Sequence, residues 1–153
     1  QDLYEGIKIG RRLLSSEFPD ATSQVFDLTS EFPEPASIRS KVLYRFVPAL
    51  DARLPQPFTL REAAQQVLNA NNGVYLHCAN GHRRTGTLAG AVLMLSGITQ
   101  TAEETLEYIR QRRPGVTLNS SQRKALEDFY RMLPTEPEHE HSDRKITKSD
   151  EIN

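Results

Sequence analysis

The sequence predicts a single α/β domain in which a central, mostly parallel sheet of about four or five strands is flanked by helices on both faces. Short segments rich in β-branched and aromatic residues alternate along the chain with longer segments whose apolar residues recur at helical spacing. Residues 74–95 run from an apolar strand through a tight loop directly into an apolar helix. The length of 153 residues is that of one domain.

Strand signals occur in three places before that loop. Residues 3–10 alternate between apolar and polar and are split by Gly6, so they predict two short strands or one hairpin. Residues 24–29 predict a strand, and residues 42–47 predict the next one, which a proline ends. Residues 11–17 leave a helical turn and irregular chain both open.

Helix starts are marked by capping boxes, in which a capping residue is followed three positions later by Glu or Gln. Thr59–Glu62, Thr101–Glu104 and Asn119–Gln122 have this pattern. Apolar residues at helical spacing follow, which predicts a core-facing stripe on each helix. Residues 49–58, between the predicted strand and the first capping box, contain two prolines and predict a loop.

The composition is typical of a globular domain, with 37% hydrophobic and 25% charged residues. A formal net charge of -1 predicts no nucleic-acid partner. No apolar run approaches the roughly 20 residues that a membrane span requires, so no span is expected in this chain. A single cysteine excludes a disulfide within the chain, and a reducing compartment such as the cytoplasm is expected.

The chain divides into a predicted domain, residues 1–134, and a predicted tail, residues 135–153. The tail holds six acidic and three basic residues and almost no apolar ones, so it is expected to be disordered. Two histidines in the tail, His139 and His141, leave a metal site open, although a solvated tail is the favoured interpretation.

The loop after the strand at residues 74–76 has the features of an anion site. It begins with Cys78, ends with Arg84 and precedes a helix that the sequence predicts over residues 87–95. Successive backbone N–H groups in such a loop point into one concavity, and the helix N-terminus adds its positive end. A phosphate cradle is therefore predicted, lined by Ala79, Asn80, Gly81, His82, Arg83 and Arg84.

The side chains at the two ends of the loop suggest a reaction. Cys78 lies below a predicted helix N-terminus and beside cationic residues, which favours the nucleophilic thiolate. Arg84 can hold two phosphate oxygens with its planar guanidinium and stabilise transition-state charge. Thr85 could donate a hydrogen bond to the sulfur and ease its departure, and His77 could fix the loop by hydrogen bonds to the backbone. The alternative is a small buried cysteine at an ordinary strand–helix junction.

Asp51 in the predicted loop is the candidate general acid. Departure of an alcohol or phenol from phosphorus needs a proton, and the same carboxylate could afterwards activate water. Asp27 is a rival, but it falls inside a predicted strand, where a structural role is favoured. The remaining alternative for Asp51 is an ordinary turn aspartate.

The arrangement of His77-Cys78, five further residues and then Arg84-Thr85-Gly86 resembles the signature of the cysteine-dependent protein tyrosine and dual-specificity phosphatases. Residues 26–130 are similar to small atypical dual-specificity phosphatases of the VHZ type and, more distantly, to tensin-type lipid phosphatases. Further matches are Arg113-Pro114-Gly115, Gln122 and Lys124-Ala125. The resemblance implies a dual-specificity-phosphatase-like fold and a general acid on a loop at the place of Asp51. One departure is Arg83, where many relatives have glycine or serine.

The expected reaction is phosphomonoester hydrolysis through a cysteinyl-phosphate, without metal or cofactor. Phosphotyrosine and phosphoserine/threonine proteins are the first expected substrates. A phosphoinositide or inositol phosphate is the close alternative, because His82, Arg83 and Arg53 would place additional cations around one pocket. Gln122 is a weaker candidate at the substrate rim, where it could orient water. A module that binds phosphate without turnover is the third alternative.

Overall fold

A computed structural model describes residues 1–14, 16–29, 35–47, 57–70 and 73–134. These ranges contain five strands and five helices. In chain order they are β1 (Asp2–Tyr4), β2 (Ile7–Arg11), β3 (Gln24–Asp27), α1 (Ala36–Arg39), β4 (Leu43–Phe46), α2 (Pro57–Asn69), β5 (Val74–Cys78), α3 (Arg83–Leu95), α4 (Ala102–Arg112) and α5 (Ser120–Arg131).

The five strands form one mixed sheet in the order β1-β2-β5-β3-β4. Strand β1 pairs antiparallel with β2, and every other pairing is parallel. The predicted single α/β domain with a mostly parallel sheet is therefore confirmed, and of the two alternatives left open for residues 3–10 the hairpin is the one that forms. Because β5 lies between β2 and β3, the carboxyl ends of these three strands meet at one edge of the sheet, where ligands commonly bind in such folds.

The main core lies between the sheet and the four longer helices. Strand β5 is buried along its whole length, as expected for a central parallel strand, and α3 packs against it with residues 84–94 buried. Helices α4 and α5 approach α3 closely at Gly90, where a Cβ atom would lie 2.8 Å from Leu126 Cδ1 and 3.0 Å from Thr105 Cγ2. None of the described helices has the length and apolar character needed to cross a membrane.

Val25, Tyr75 and His77 alternate with the core-facing positions of their strands and are buried on the other face of the sheet. The Phe18 ring meets the Tyr75 ring edge-to-face, with 5.6 Å between the centroids. Residues 11–14, 16 and 17 form no helix. Of the helical turn and the irregular chain that the sequence left open for residues 11–17, the helical turn is not formed there. In that segment the Glu17 carboxylate accepts a hydrogen bond from the Leu14 N–H at 2.7 Å.

A buried polar cluster lies at the carboxyl end of β3. Asp27 Oδ1 accepts hydrogen bonds from the Thr29 N–H at 2.8 Å and the Thr29 hydroxyl at 2.6 Å. The Tyr44 hydroxyl donates to Asp27 Oδ2, and His77 Nδ1 lies 3.9 Å from Asp27 Oδ1. Asp27 is fully buried among these partners, which gives it a structural role.

Two of the three predicted capping boxes require correction. Helix α2 begins at Pro57, so Thr59 lies within its first turn and the predicted loop ends earlier than residue 58. Proline suits the first helical position, because its φ is already helical and no N–H partner is needed there. Thr101 does cap α4, accepting from the Glu104 N–H at 3.1 Å, but the Glu104 carboxylate accepts from the Gln100 N–H at 2.9 Å instead of completing the box.

The third capping box is confirmed. The Asn119 side chain accepts from the Gln122 N–H at 2.8 Å, and Gln122 Oε1 accepts from the Asn119 N–H at 3.0 Å. The predicted tail, residues 135–153, lies outside the described residues, as do Asp51 and Arg53.

His77 gives the fold a pH dependence. Burial lowers the pKa of His77 below its ordinary value of 6.5, against the opposing effects of the Asp27 carboxylate and of a backbone hydrogen bond with Cys78. Because the folded state keeps His77 neutral where the unfolded chain takes up a proton, stability is lost as the pH falls below about 6.5.

We expect the free energy of unfolding to fall by up to about 1.4 kcal/mol per pH unit below pH 6.5 for this one group. Urea denaturation between about pH 5 and 7.5 would measure it. His77→Asn should be less stable throughout but have a flatter profile, because the titrating group is removed. An unchanged slope in His77→Asn would contradict the assignment.

Candidate active site

The strand–loop–helix junction is tighter than the sequence predicts. Strand β5 extends to Cys78, two residues beyond the predicted 74–76, and α3 begins at Arg83 rather than at residue 87. Only residues 79–82 connect them. The junction therefore holds Cys78 at the end of the central strand and directly before the N-terminus of the most buried helix.

Gly81 makes this short connection possible. Its φ is +70°, a left-handed value that favours glycine, and a Cβ atom there would lie 2.2 Å from the carbonyl carbon and oxygen of Gly10. The loop thus packs with its backbone on the end of β2, where the Arg12 N–H also donates to the Ala79 carbonyl at 3.2 Å.

Cys78 is 4% exposed, and the Gly81 N–H donates a hydrogen bond to its Sγ at 3.2 Å. His82, the N-cap residue of α3, makes no side-chain cap hydrogen bond. The first N–H groups of a helix lack intrahelical partners and carry its positive end. This backbone environment favours the binding of an anion in front of the sulfur.

A cleft of about 400 Å³ opens in front of the sulfur. It brings together most of the residues that the sequence assigns to a phosphate cradle, plus one from another part of the chain. The residues that line it are Cys78, Ala79, Asn80, His82, Arg83, Arg84 and Thr117.

The two neighbouring arginines differ in environment. Arg84 is 5% exposed, and its Nη1 donates to the Leu28 carbonyl just beyond β3 at 3.2 Å. Arg83 is exposed and also lines the cleft. The Arg84 guanidinium is thus held in place by a hydrogen bond to the end of the sheet, whereas the Arg83 side chain lies at the entrance of the cleft.

Three further predicted site residues lie behind the cleft. Thr85 is fully buried, and its Oγ1 has no hydrogen-bond partner among the described residues, so the predicted bond to the sulfur is not formed. His77 faces the opposite side of the sheet, beside Asp27. Gln122 is 2% exposed with its Oε1 engaged in the α5 capping box, a buried position rather than an exposed rim.

Two residues of the α4–α5 connection belong to the site although the sequence interpretation gave them no role. Thr117 lines the cleft between the buried Val116 and Leu118. Arg113 donates from Nε to the Gly81 carbonyl at 2.9 Å and from Nη2 to the Asn80 carbonyl at 3.0 Å. The alternation of apolar, polar and apolar residues at Val116, Thr117 and Leu118 is the sequence signal that could have identified it.

The same connection also touches the loop at Gly115. A Cβ atom on Gly115 would lie 2.9 Å from His82 Nε2, so the absence of a side chain there leaves room for the imidazole. The imidazole of His82 is therefore packed against the α4–α5 connection rather than pointing freely into solvent.

Several solved structures are similar to this chain. PTPMT1 in complex with PI(5)P has a TM-score of 0.73 at 18% identity, covering 86% of this chain and 94% of that one. Tk-PTP in the active form has a TM-score of 0.72 at 23% identity, covering 86% and 96%. The core catalytic domain of the PP-IP phosphatase SIW14 from S. cerevisiae, in complex with citrate, has a TM-score of 0.66 at 20% identity, covering 83% and 82%. At these identities the similarity shows a shared fold.

No match was found among curated protein sequences. The family model of the dual specificity phosphatase catalytic domain matches residues 21–132, which include β3, β5, the loop and helices α1–α5. The chain belongs to the dual-specificity phosphatase family.

Proposed function

We propose that this domain hydrolyses phosphomonoesters in two displacements, with Cys78 as the nucleophile. The observation that carries the proposal is the hydrogen bond from the Gly81 N–H to Cys78 Sγ at 3.2 Å, in a cleft that Cys78 and Arg84 both line. A thiolate at this place faces the phosphorus of any phosphate that the loop N–H groups hold.

In the first step the thiolate attacks phosphorus, an S–P bond forms, and the P–O bond to the leaving group breaks. The leaving oxygen takes a proton, which we assign to Asp51. In the second step Asp51 removes a proton from water, the water oxygen attacks phosphorus, and the thiolate departs. The products are the alcohol or phenol and inorganic phosphate. Arg84 stabilises the charge that builds up on the phosphoryl oxygens, and the proposal requires no metal.

Phosphorylated proteins, on tyrosine and on serine or threonine, are the first proposed substrates. A phosphoinositide or an inositol phosphate is the second candidate. One observation favours it: His82, Arg83 and Arg84 line the same cleft, although a single phosphate needs only one cationic clamp. PTPMT1 was solved with PI(5)P and SIW14 is a PP-IP phosphatase, so the fold accommodates such ligands in other proteins.

Cys78→Ser should abolish hydrolysis of an aryl phosphate yet retain vanadate or phosphate binding, because the cradle is mostly backbone. Steady-state turnover and calorimetric titration would measure the two properties. Removal of a nucleophile typically costs several orders of magnitude, so residual activity above about a thousandth of wild type would contradict a covalent mechanism. Phosphate binding with no turnover by the wild type would instead support a binding module.

Asp51→Asn should reduce turnover by about 10²–10⁴ on substrates with poor leaving groups, because the departing oxygen then receives no proton. The loss should be smaller for nitrophenyl phosphate, whose leaving group needs little protonation. Asp20→Asn, at an exposed position, is the matched control. Equal losses on both substrate types would indicate that Asp51 is structural. The acid would then be sought at Glu31, since Asp27 is fully buried.

The double change His82→Ala with Arg83→Ala tests the second substrate class. If a polyanion is the substrate, hydrolysis of inositol phosphates should fall much more than that of a phosphotyrosine peptide, and the difference should fade at high salt. The control, Lys124→Ala with Arg131→Ala, removes two cations that pair with Asp128 on α5. Equal losses on both substrates would remove the reason for proposing a polyanion.

A further inference from the structure

Arg113, the C-cap residue of α4, reaches the loop from outside the cleft. Its Nε donates to the Gly81 carbonyl at 2.9 Å, and its Nη2 donates to the Asn80 carbonyl at 3.0 Å. The planar guanidinium therefore spans two successive peptide units of the loop. It is not among the residues that line the cleft, so it acts on the loop backbone and not on a bound anion.

The Asn80 carbonyl shares its peptide unit with the Gly81 N–H. In a planar trans peptide the C=O and N–H groups point in opposite directions. One end of this unit accepts from Arg113 at 3.0 Å, and the other end donates to Cys78 Sγ at 3.2 Å. A positive charge is thus connected to the sulfur through a single peptide group.

We propose that Arg113 is a positioning residue that favours the thiolate of Cys78 through the Asn80–Gly81 peptide. A charge-assisted bond at the carbonyl fixes the orientation of the peptide, and it polarises the N–H group that donates to sulfur. The proposal deepens the function proposed above, since it rests on Cys78 being the nucleophile. It concerns the ionisation of the sulfur, so it can be tested without turnover.

Other titratable side chains also lie in the cleft or beside Cys78 in the sheet. His82, Arg83 and Arg84 line the cleft, and His77 and Asp27 lie on the opposite face of the sheet. A substitution of Arg113 leaves these five side chains unchanged. A resulting change in the reactivity of Cys78 can then be attributed to the loss of the contact between Arg113 and the Asn80–Gly81 peptide.

Two arginines of α4 allow matched controls. Arg112 stacks on the Tyr108 ring, with its guanidinium carbon 3.7 Å from the ring centroid, and donates to the Tyr108 carbonyl at 3.1 Å. Arg110 donates to the Val116 carbonyl at 3.2 Å. Arg112→Ala removes a neighbouring charge, and Arg110→Ala removes an arginine–carbonyl bond within the connection. Neither touches the Asn80–Gly81 peptide.

Cys78 is the only cysteine in the chain, so alkylation by iodoacetamide reports on it alone. The alkylation rate of the full chain, measured against pH, should follow the thiolate fraction. In Arg113→Ala the midpoint of that curve should move upward by about one pH unit, because a hydrogen bond that favours the charged form is weakened. Arg113→Lys should recover part of the shift, since an ammonium keeps the charge without the fork. Both controls should follow the wild type.

An unmoved midpoint in Arg113→Ala, or an equal shift in Arg112→Ala, would overturn the proposal. If Arg113→Ala does not fold, Arg113→Gln keeps a side-chain donor and removes the charge, and it should show the same shift.

In turnover, the loss of kcat/KM should be about tenfold below the wild-type midpoint and should vanish above both midpoints. A residue that only braces the loop would lose activity at every pH. A wild type without turnover would refute the proposed function and leave the alkylation result intact.

Discussion

The backbone contact between Gly81 and Gly10 is the constraint on which the site depends. Because a Cβ atom at Gly81 would lie 2.2 Å from the Gly10 carbonyl, any other residue would push the loop away from the end of β2. With glycine there, the loop stays short, its N–H group reaches Cys78 Sγ, and α3 can begin at Arg83. Backbone packing therefore sets the path of the loop, and the exposed side chain of Arg83 does not determine it.

The burial of Arg84 has a related consequence for binding. A guanidinium that is only 5% exposed has lost most of its hydration, and such a charge is costly unless hydrogen bonds or a counterion replace the water. The Leu28 carbonyl replaces part of it. Under the function proposed above, a phosphate in the cleft would form charge-assisted bonds with a guanidinium that the fold has already buried.

The sequence was informative where function is contiguous and local. Cys78, Arg84 and the residues between them belong to one loop, so their spacing alone identified most of the cleft. Arg113 and Thr117 were missed as site residues. Hydrophobic periodicity indicates which side of a helix or strand is buried, but it does not indicate which distant part of the chain that side contacts. Thr59 was misassigned for a related reason: Thr-x-x-Glu is a local pattern, and Pro57 two residues earlier begins the helix equally well. Asp51 lies outside the described residues and stays a prediction from resemblance.

The α4–α5 connection contacts the site in two places. One residue lines the cleft, and others contact the loop from outside the cleft. Val116 and Leu118 are buried in the core and hold Thr117 at the cleft. Arg113 binds the carbonyls of Asn80 and Gly81, and Gly115 packs against His82. Substitutions at Thr117 are therefore expected to change the wall of the cleft and to leave the hydrogen bond between the Gly81 N–H and Cys78 Sγ in place. Arg113 contributes no side chain to the lining of the cleft, so substitutions there are expected to act through the backbone of Asn80 and Gly81. Under the function proposed above, residues outside the loop would therefore contribute to the site in two different ways, Thr117 through the cleft wall and Arg113 through the loop backbone.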